Sequence, residues 1–244
     1  MITDHFRERK TACPFSVADV DDLKNVANHT ILFTSSLAVK ALASLLTALL
    51  LNLYLYKVES GRSLAENLAS EYDLGRRAER LRSILMETER LSPPIVGVMR
   101  RSIKDNIISS PKAQADILVP TGWDCWLYFI GAGRDPAAFG QTSDRFDPDR
   151  YLGAETPRGM AFGWGPKTCL GQETVHEIVL AIADTCLRSN LRMEGQVVER
   201  GVQGWLGWLP DYAVQPQDWA KDMKQLPTQR PSKPVKVRLR RDPI

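Results

Sequence analysis

Cysteine and histidine are scarce in this chain of 244 residues, which has four cysteines and three histidines. No two cysteines are close in the sequence, which excludes a disulfide framework and a zinc pattern and fits a reducing compartment. The histidines are not spaced like metal ligands. The cysteines are Cys13, Cys125, Cys169 and Cys186, and the histidines are His5, His29 and His176.

An excess of charge and long hydrophobic runs are missing too. The 32 basic and 29 acidic residues leave a net charge of +3, which gives no reason to expect nucleic acid as a partner. The longest stretch without charge, residues 41–56, is shorter than the about 20 residues that a transmembrane helix needs, and Asn52 interrupts it. We therefore interpret residues 21–56 as a long buried helix, with a transmembrane helix as the alternative.

Cys169 lies in a loop, residues 162–171, whose glycines and proline determine its conformation. Gly165 permits backbone angles that a side chain forbids, the proline after it stiffens the next step, and Gly171 lets the backbone pack closely. Apolar residues at helical spacing follow over residues 175–186, so Cys169 lies at a helix N-terminus, where the dipole favours a thiolate over a thiol. A lone, fixed thiolate suits one axial bond to a haem iron.

A second motif lies upstream, on a helix predicted at residues 76–91. Glu87 and Arg90 are three residues apart, on the same side of that helix, and two prolines end it. A solvated surface pair, which would contribute little to stability, is the alternative. Further along, residues 146–151 read Phe-Asp-Pro-Asp-Arg-Tyr and bring in a second arginine, Arg150.

Together these motifs resemble those of the cytochromes P-450. Residues 162–171 match the haem-thiolate pattern Phe-x-x-Gly-x-x-x-Cys-x-Gly, and Glu87 and Arg90 match the Glu-x-x-Arg helix. Residues 146–151 resemble the family's Phe-x-Pro-Glu-Arg-Phe segment. The resemblance spans roughly residues 20–240. It implies a mainly α fold with small β-sheets (α+β), namely the C-terminal haem-binding half of the cytochrome P-450 fold.

The resemblance implies a single partial domain over residues 1–244. Its parts would be a central distal helix at 21–56, the Glu-x-x-Arg helix at 76–91, a meander at 132–160, the haem-ligand loop at 161–171 and a proximal helix at 171–189. Alternating apolar residues and turn signals predict strands at 95–101, 106–109, 115–119 and 234–240.

The resemblance also assigns roles to single residues. Cys169 would be the axial ligand of the iron of haem b, with Phe162 shielding its sulfur and Gly165 and Gly171 shaping the loop. Lys167, in place of a usual Arg or His, would pair with one propionate of the haem. The other propionate would meet Arg100 or Arg101, between which the sequence does not choose.

A structural triad of Glu87, Arg90 and Arg150 is implied as well. A carboxylate held by two guanidinium groups makes directional, charge-assisted hydrogen bonds. The triad would lock the meander onto the Glu-x-x-Arg helix and so set the position of the cysteine loop.

The activity implied is that of a haem-thiolate monooxygenase. One oxygen atom of dioxygen would be inserted into a small organic substrate, a secondary metabolite or a lipid, with electrons from an NADPH-dependent reductase. The family's acid and alcohol, placed on residues 33–38, fall on Leu37 and Ala38. Thr34, Ser35 and Ser36 either supply the missing hydroxyls or bond back to the helix. A haem-thiolate isomerase that rearranges peroxides is therefore an alternative.

Full-length family members are considerably longer than this chain. The other half would carry the membrane anchor, so association with the endoplasmic reticulum membrane is expected of a full-length relative. A truncated, non-catalytic fragment or a mis-started gene model is a further alternative. For the chain by itself, we expect residues 41–56 to form an exposed apolar patch.

Overall fold

The computed structural model describes residues 30–31, 33–110, 115–153, 156–189, 191–199, 212–214, 223–224, 230–231 and 235–241. The chain divides into two compact units, Met1–Ala41 and Leu42–Ile244. A π-helical segment at Phe33–Ala38 leads into helix α1 (Val39–Leu55). The hydroxyl of Thr34, in this segment, donates to the carbonyl of Thr30, four residues earlier and 2.8 Å away. Residues 21–29 of the predicted helix lie outside the described part of the chain.

Five further α-helices and nine strands follow in the described part of the chain. The helices are α2 (Leu64–Ala69), α3 (Leu74–Leu91), α4 (Phe129–Gly133), α5 (Pro136–Phe139) and α6 (Gln172–Arg188). The first four strands are β1 (Gly97–Arg101), β2 (Asn106–Ser110), β3 (Ala115–Val119) and β4 (Asp124–Tyr128). The others are β5 (Leu191–Glu199), β6 (Tyr212–Val214), β7 (Met223–Lys224), β8 (Arg230–Pro231) and β9 (Val235–Arg241).

Local sequence explains both ends of helix α3. The Asp73 carboxylate accepts hydrogen bonds from the N–H groups of Gly75 and Arg76, at 2.8 and 3.1 Å, and so caps the first turn. At the other end two prolines follow Ser92, and proline cannot continue a helix. Helix α3 thus begins two residues before the predicted start and ends at the predicted residue 91.

The core of the second unit forms where α1, α2, α3 and α6 meet. Leucines four residues apart on α1 face the other three helices, and burying each side chain contributes about 1.5–3 kcal/mol. The central residues of this core are Leu45, Leu49, Leu53, Leu64, Leu68, Ile84, Leu85, Val179 and Ala183. The expectation of an exposed patch at residues 41–56 is therefore wrong, because these helices bury most of residues 45–55.

Helix α1 carries one polar side chain into this core, Asn52. Its side-chain amide nitrogen donates to the Thr88 hydroxyl on α3 at 2.9 Å, and that hydroxyl donates in turn to the Ile84 carbonyl at 2.7 Å. Asn52 is 5% exposed and Thr88 is fully buried. The asparagine that interrupts the apolar stretch in the sequence is thus a cross-link between two helices.

The Asn52–Thr88 cross-link gives a first prediction. We expect Thr88→Val to lower the free energy of unfolding by about 1–3 kcal/mol, because the amide nitrogen of Asn52 then stays buried without an acceptor. The double variant Asn52→Leu/Thr88→Val leaves no orphaned group and should recover most of that loss. Urea unfolding followed by tryptophan fluorescence measures both. A Thr88→Val protein as stable as the wild type would contradict the prediction.

The strands form small antiparallel sheets. Strand β1 pairs with β4 and β2 pairs with β3, so that one hairpin is nested inside the other. A three-stranded sheet has the order β6-β5-β9, and β7 pairs with β8. The first two sheets expose large apolar side chains, at Met99, Ile107, Ile108, Ile117, Leu118, Trp126 and Leu127.

In the part of the chain that the structure describes, no helix combines the length and the apolar character needed to cross a membrane.

Candidate cofactor-binding loop and its buried support

Glu87 and Arg90 form a bidentate pair in the last turns of α3. The two guanidinium nitrogens Nε and Nη2 of Arg90 lie 2.7 Å from Glu87 Oε2 and Oε1 respectively. Both side chains are fully buried, so the alternative of a solvated surface pair is wrong. Arg150 joins them: its Nε lies 3.1 Å from both carboxylate oxygens, and the backbone N–H of Asp147 donates to Oε1 at 2.9 Å.

Arg90 also donates hydrogen bonds to backbone carbonyls of residues 133–145. It donates to the carbonyls of Gly133, of Ser143 at 2.6 Å and of Arg145 at 3.2 Å, and its guanidinium lies 4.8 Å above the centre of the Phe139 ring. A side chain at position 133 would collide with the Arg90 carbonyl oxygen, which explains the glycine there. One buried cation therefore organises the first half of the meander.

Arg150 ties the same segment together from its other end. Its terminal nitrogens donate to the carbonyls of Phe139 at 3.3 Å, Thr142 at 2.9 Å and Arg145 at 3.3 Å. Because Glu87 is the shared counter-charge of both arginines, the meander is attached to α3 by buried, charge-assisted hydrogen bonds. The structure thus brings the three predicted triad residues into contact.

Residues 146–151 are also attached to α3 by hydrogen bonds and an ion pair from Ser83 and Arg80, two residues that are not part of the family pattern. The Ser83 hydroxyl donates to the Pro148 carbonyl at 2.8 Å and accepts from the Tyr151 N–H at 3.1 Å. Arg80 makes a bidentate pair with Asp149 at 2.9 and 3.2 Å. Burial, and after it the negative charge of Glu87, raise the pKa of Tyr151 to about 12. Its phenol is therefore neutral at physiological pH.

The cysteine loop turns tightly just before helix α6. A 3₁₀ turn spans Gly165–Lys167, and the Cys169 N–H donates to the Phe162 carbonyl at 2.8 Å, which closes the loop. Gly165 has φ +72° and Gly163 has φ +75°, angles that residues with side chains rarely adopt. The sequence identified Gly165 for this reason, but not Gly163.

The free thiol of Cys169 is exposed, as is the whole side chain of Leu170. Gly171 caps helix α6 with φ −89°, and a side chain there would meet the Cys169 sulfur at 3.9 Å, an ordinary contact. The predicted close packing at Gly171 is therefore not seen among the described protein atoms. Lys167 is exposed within the 3₁₀ turn, on the same loop as the thiol.

The buried face of α6 differs from the apolar spacing in the sequence. The apolar pattern singled out residues 175–186, yet Ile178 and Ile182 are partly exposed. Val179, which belongs to that pattern, is buried, and the other buried residues of α6 are Gln172, His176, Ala183 and Leu187. The core-facing side of α6 therefore includes two polar residues, Gln172 and His176, which a search for apolar spacing does not find.

His176 meets a second buried acid on α3. Its Nε2 lies 2.9 Å from Oε2 of Glu89, and its ring packs edge-on against Phe162, with the ring centres 5.2 Å apart. That Glu89 and His176 form a pair was not predicted from the sequence. The spacing could have indicated that both residues are buried. Glu89 follows Leu85 by four residues and His176 precedes Val179 by three, so each lies on the same helix face as a core residue.

The two candidate arginines of β1 differ in their partners. Arg101 makes a bidentate pair with Asp124 on β4, with both distances 2.8 Å. Arg100 is exposed, and its Nη1 donates to the Met99 carbonyl at 2.8 Å. An incoming anion would have to displace a carboxylate from Arg101 but not from Arg100, which favours Arg100.

The donor set fits a haem. Among the described residues no group of three or more His, Cys, Asp or Glu side chains could hold a metal ion. A single exposed thiol fixed at a helix N-terminus suits a metal that brings its other ligands with it, as the iron of a haem does.

Comparisons with known proteins agree with the fold and the loop. Residues 68–188 match the family model for cytochrome P-450. Cytochrome P-450 714C2 of Oryza sativa subsp. japonica is 35% identical over 108 residues, which cover 42% of this chain and 20% of that protein. Echinocystic acid 23-monooxygenase of Saponaria officinalis is 33% identical over 121 residues, or 47% of this chain and 22% of that protein. The mitochondrial cholesterol side-chain cleavage enzyme of Ovis aries is 30% identical over 122 residues, which cover 48% of this chain and 22% of that protein.

Solved structures show the same fold. The retinoic acid-bound cyanobacterial CYP120A1 superposes with a TM-score of 0.56 at 19% identity, covering 83% of this chain and 43% of that chain. A cytochrome P-450-like monooxygenase of microbial secondary metabolism gives a TM-score of 0.53 at 21% identity, covering 72% and 39%. The predicted fold class, mainly α with small β-sheets, is confirmed.

A cysteine in a glycine-rich loop before a helix, taken together with these comparisons, indicates the class of haem-thiolate proteins. The chain belongs to the cytochrome P-450 family. Membership implies a haem iron as the cofactor. The matched segments span about a fifth of the length of these curated relatives, 20–22%.

Proposed function

We propose that this chain is the haem-binding part of a haem-thiolate monooxygenase, with Cys169 as the axial ligand of haem b. The observation that carries the proposal is the exposed Cys169 thiol, held at the start of α6 in a loop closed by its own backbone. The buried contacts of Glu87, Arg90 and Arg150 support it, because they fix the meander that precedes this loop.

The chain's own residues would have two tasks. Bound through a cysteine thiolate, haem supplies oxidative chemistry, since the thiolate donates electron density to the iron and favours O–O cleavage. Phe162 would orient Cys169 through its carbonyl, and the N–H groups of Leu170 and Gly171 would temper the negative charge on the sulfur. Lys167 and Arg100 would neutralise the two propionates, with Arg100 ahead of Arg101 because Asp124 already binds Arg101.

The proposed division of the chain follows the helices observed. Within residues 21–56, α1 would belong to the central distal helix, α3 would be the Glu-x-x-Arg helix and α6 the proximal helix. Residues 132–160 would be the meander and 161–171 the ligand loop.

Substrate and partners are proposed by class. One relative is named for echinocystic acid and another for cholesterol, which supports a small organic substrate such as a secondary metabolite or a lipid. An NADPH-dependent reductase would supply the electrons. For a full-length relative we propose the endoplasmic reticulum membrane, although the sheep relative is named as mitochondrial.

A peroxide-rearranging haem-thiolate isomerase is the second candidate function. It is favoured by Leu37 and Ala38 at the positions of the family's acid and alcohol, and by the Thr34 hydroxyl, which donates back to the helix. A monooxygenase needs an external electron donor, whereas an isomerase does not.

Turnover with different oxidants tests the two functions. The natural protein, loaded with haem, is supplied either with a reductase, NADPH and dioxygen or with an organic hydroperoxide alone. We expect oxygenated product only in the first mixture. Rearrangement of the hydroperoxide with no product from dioxygen would replace the monooxygenase by the isomerase.

A further inference from the structure

Two ionisable groups, Glu89 and His176, are buried together between helices α3 and α6. Glu89 is 1% exposed and His176 is 5% exposed, and their side chains meet at 2.9 Å. Removing a carboxylate from water costs several kcal/mol unless a partner satisfies it. Two apolar residues of similar size would fill this space without that cost, so the pair invites an explanation beyond packing.

A short path of contacts leads from this pair to the ligand loop. The His176 ring meets the Phe162 ring edge-on, with an angle of 82° between the ring planes. Phe162 is half-buried against the core, and its carbonyl accepts the N–H of Cys169 at 2.8 Å. A shift of the imidazole would therefore move the residue that closes the loop around Cys169.

The end of helix α3 thus has two separate buried contacts. Glu87 and Glu89 are two residues apart, which places them about 200° apart around the helix axis. Glu87 faces the meander through Asp147 and Arg150, and Glu89 faces α6 through His176. Helix α3 can accordingly hold both segments that meet at the ligand loop.

We propose that Glu89 and His176 are positioning residues, which hold the Phe162 ring and thereby fix the backbone of Cys169. The inference deepens the proposed function, since it concerns the same loop. Its test does not require haem, so that failure of the haem assignment and failure of this inference can be told apart.

The test is hydrogen exchange of the Cys169 amide in the full chain without haem. The double variant Glu89→Leu/His176→Leu removes the pair without leaving a buried charge, so its global stability should stay close to that of the wild type. We nevertheless expect its Cys169 amide to exchange about tenfold faster, equivalent to an opening made easier by about 1.4 kcal/mol. Wild-type exchange at Cys169 in a stable double variant would overturn the proposal.

Two controls separate positioning from general loss of stability. Val179→Ala weakens the same helix in its core, away from the loop, so its Cys169 exchange should change no more than its urea midpoint dictates. Glu177→Gln removes a surface pair between the same two helices, where Arg82 and Glu177 are 3.6 Å apart and largely exposed, and should leave the exchange unchanged.

A single variant keeps the test open if the double variant does not fold. His176→Gln keeps a donor for Glu89 but lacks the aromatic ring that meets Phe162. We expect its Cys169 exchange to accelerate beyond that of Val179→Ala at matched stability. Equal acceleration in the two proteins would mean that His176 only stabilises the fold, and would refute the positioning role.

Discussion

Cys169→Ser is expected to abolish the thiolate signature of the haem-loaded natural protein. The reduced protein with carbon monoxide should show the red-shifted absorption typical of thiolate ligation, and the variant should show none of it. A serine hydroxyl is not ionised at neutral pH and does not donate electron density to iron as a thiolate does. The absorption spectrum of the reduced carbon monoxide complex is the measurement.

The position of Cys169 makes this a test of ligation rather than of folding. The side chain is exposed and its backbone N–H, not its sulfur, closes the loop, so serine should leave the urea midpoint nearly unchanged. Cys125→Ser is the matched control, because Cys125 is also a free cysteine but lies half-buried on β4. A thiolate signature that survives in Cys169→Ser, or disappears in Cys125→Ser, would assign the ligand elsewhere.

Apolar spacing and the family resemblance together predicted the helices that carry the site. A capping aspartate and two prolines fix the ends of α3 locally, and both α3 and α6 lie within two residues of the predicted ranges. The partners of Glu87 were predicted from the family pattern, whereas the carbonyls around Arg90 could not be, since a backbone acceptor leaves no mark on the sequence.

The failures have a common physical cause. Residues 41–56 were expected to be exposed because their partners were sought outside the chain, but α2, α3 and α6 supply them. The sequence did not predict the hydrogen bond between Asn52 and Thr88 or the contact between Glu89 and His176. In a sequence, a buried polar residue cannot be distinguished from an exposed residue that interrupts an apolar pattern. Such residues become interpretable only when the partner is known, and the partner is 36 or 87 positions away.

Arg90→Lys is expected to be the most destabilising of the conservative changes in the triad. Loss of one partner from a buried ionic network typically costs about 3–5 kcal/mol. A lysine ammonium cannot form the fork that meets both Glu87 oxygens while also binding the carbonyls of Gly133, Ser143 and Arg145. Urea unfolding of the chain measures the loss, and haem content of the purified natural protein should fall with it.

Arg150→Lys and Glu87→Gln should follow in a definite order. Glu87→Gln leaves two buried guanidinium groups without a counter-charge, so its loss of unfolding free energy should approach that of Arg90→Lys. Arg150→Lys should lose less, because the Arg150 side chain is 9% exposed and its Nε lies 3.1 Å from the Glu87 carboxylate. Arg80→Lys is the matched control: its pair with Asp149 has the same bidentate geometry, but the side chains are 33% and 48% exposed, so the change should cost at most about 1 kcal/mol. If Arg90→Lys proved as mild as Arg80→Lys, the buried network would not be what attaches the meander to α3, and the cysteine loop would owe its position to the Glu89–His176 side of the helix alone.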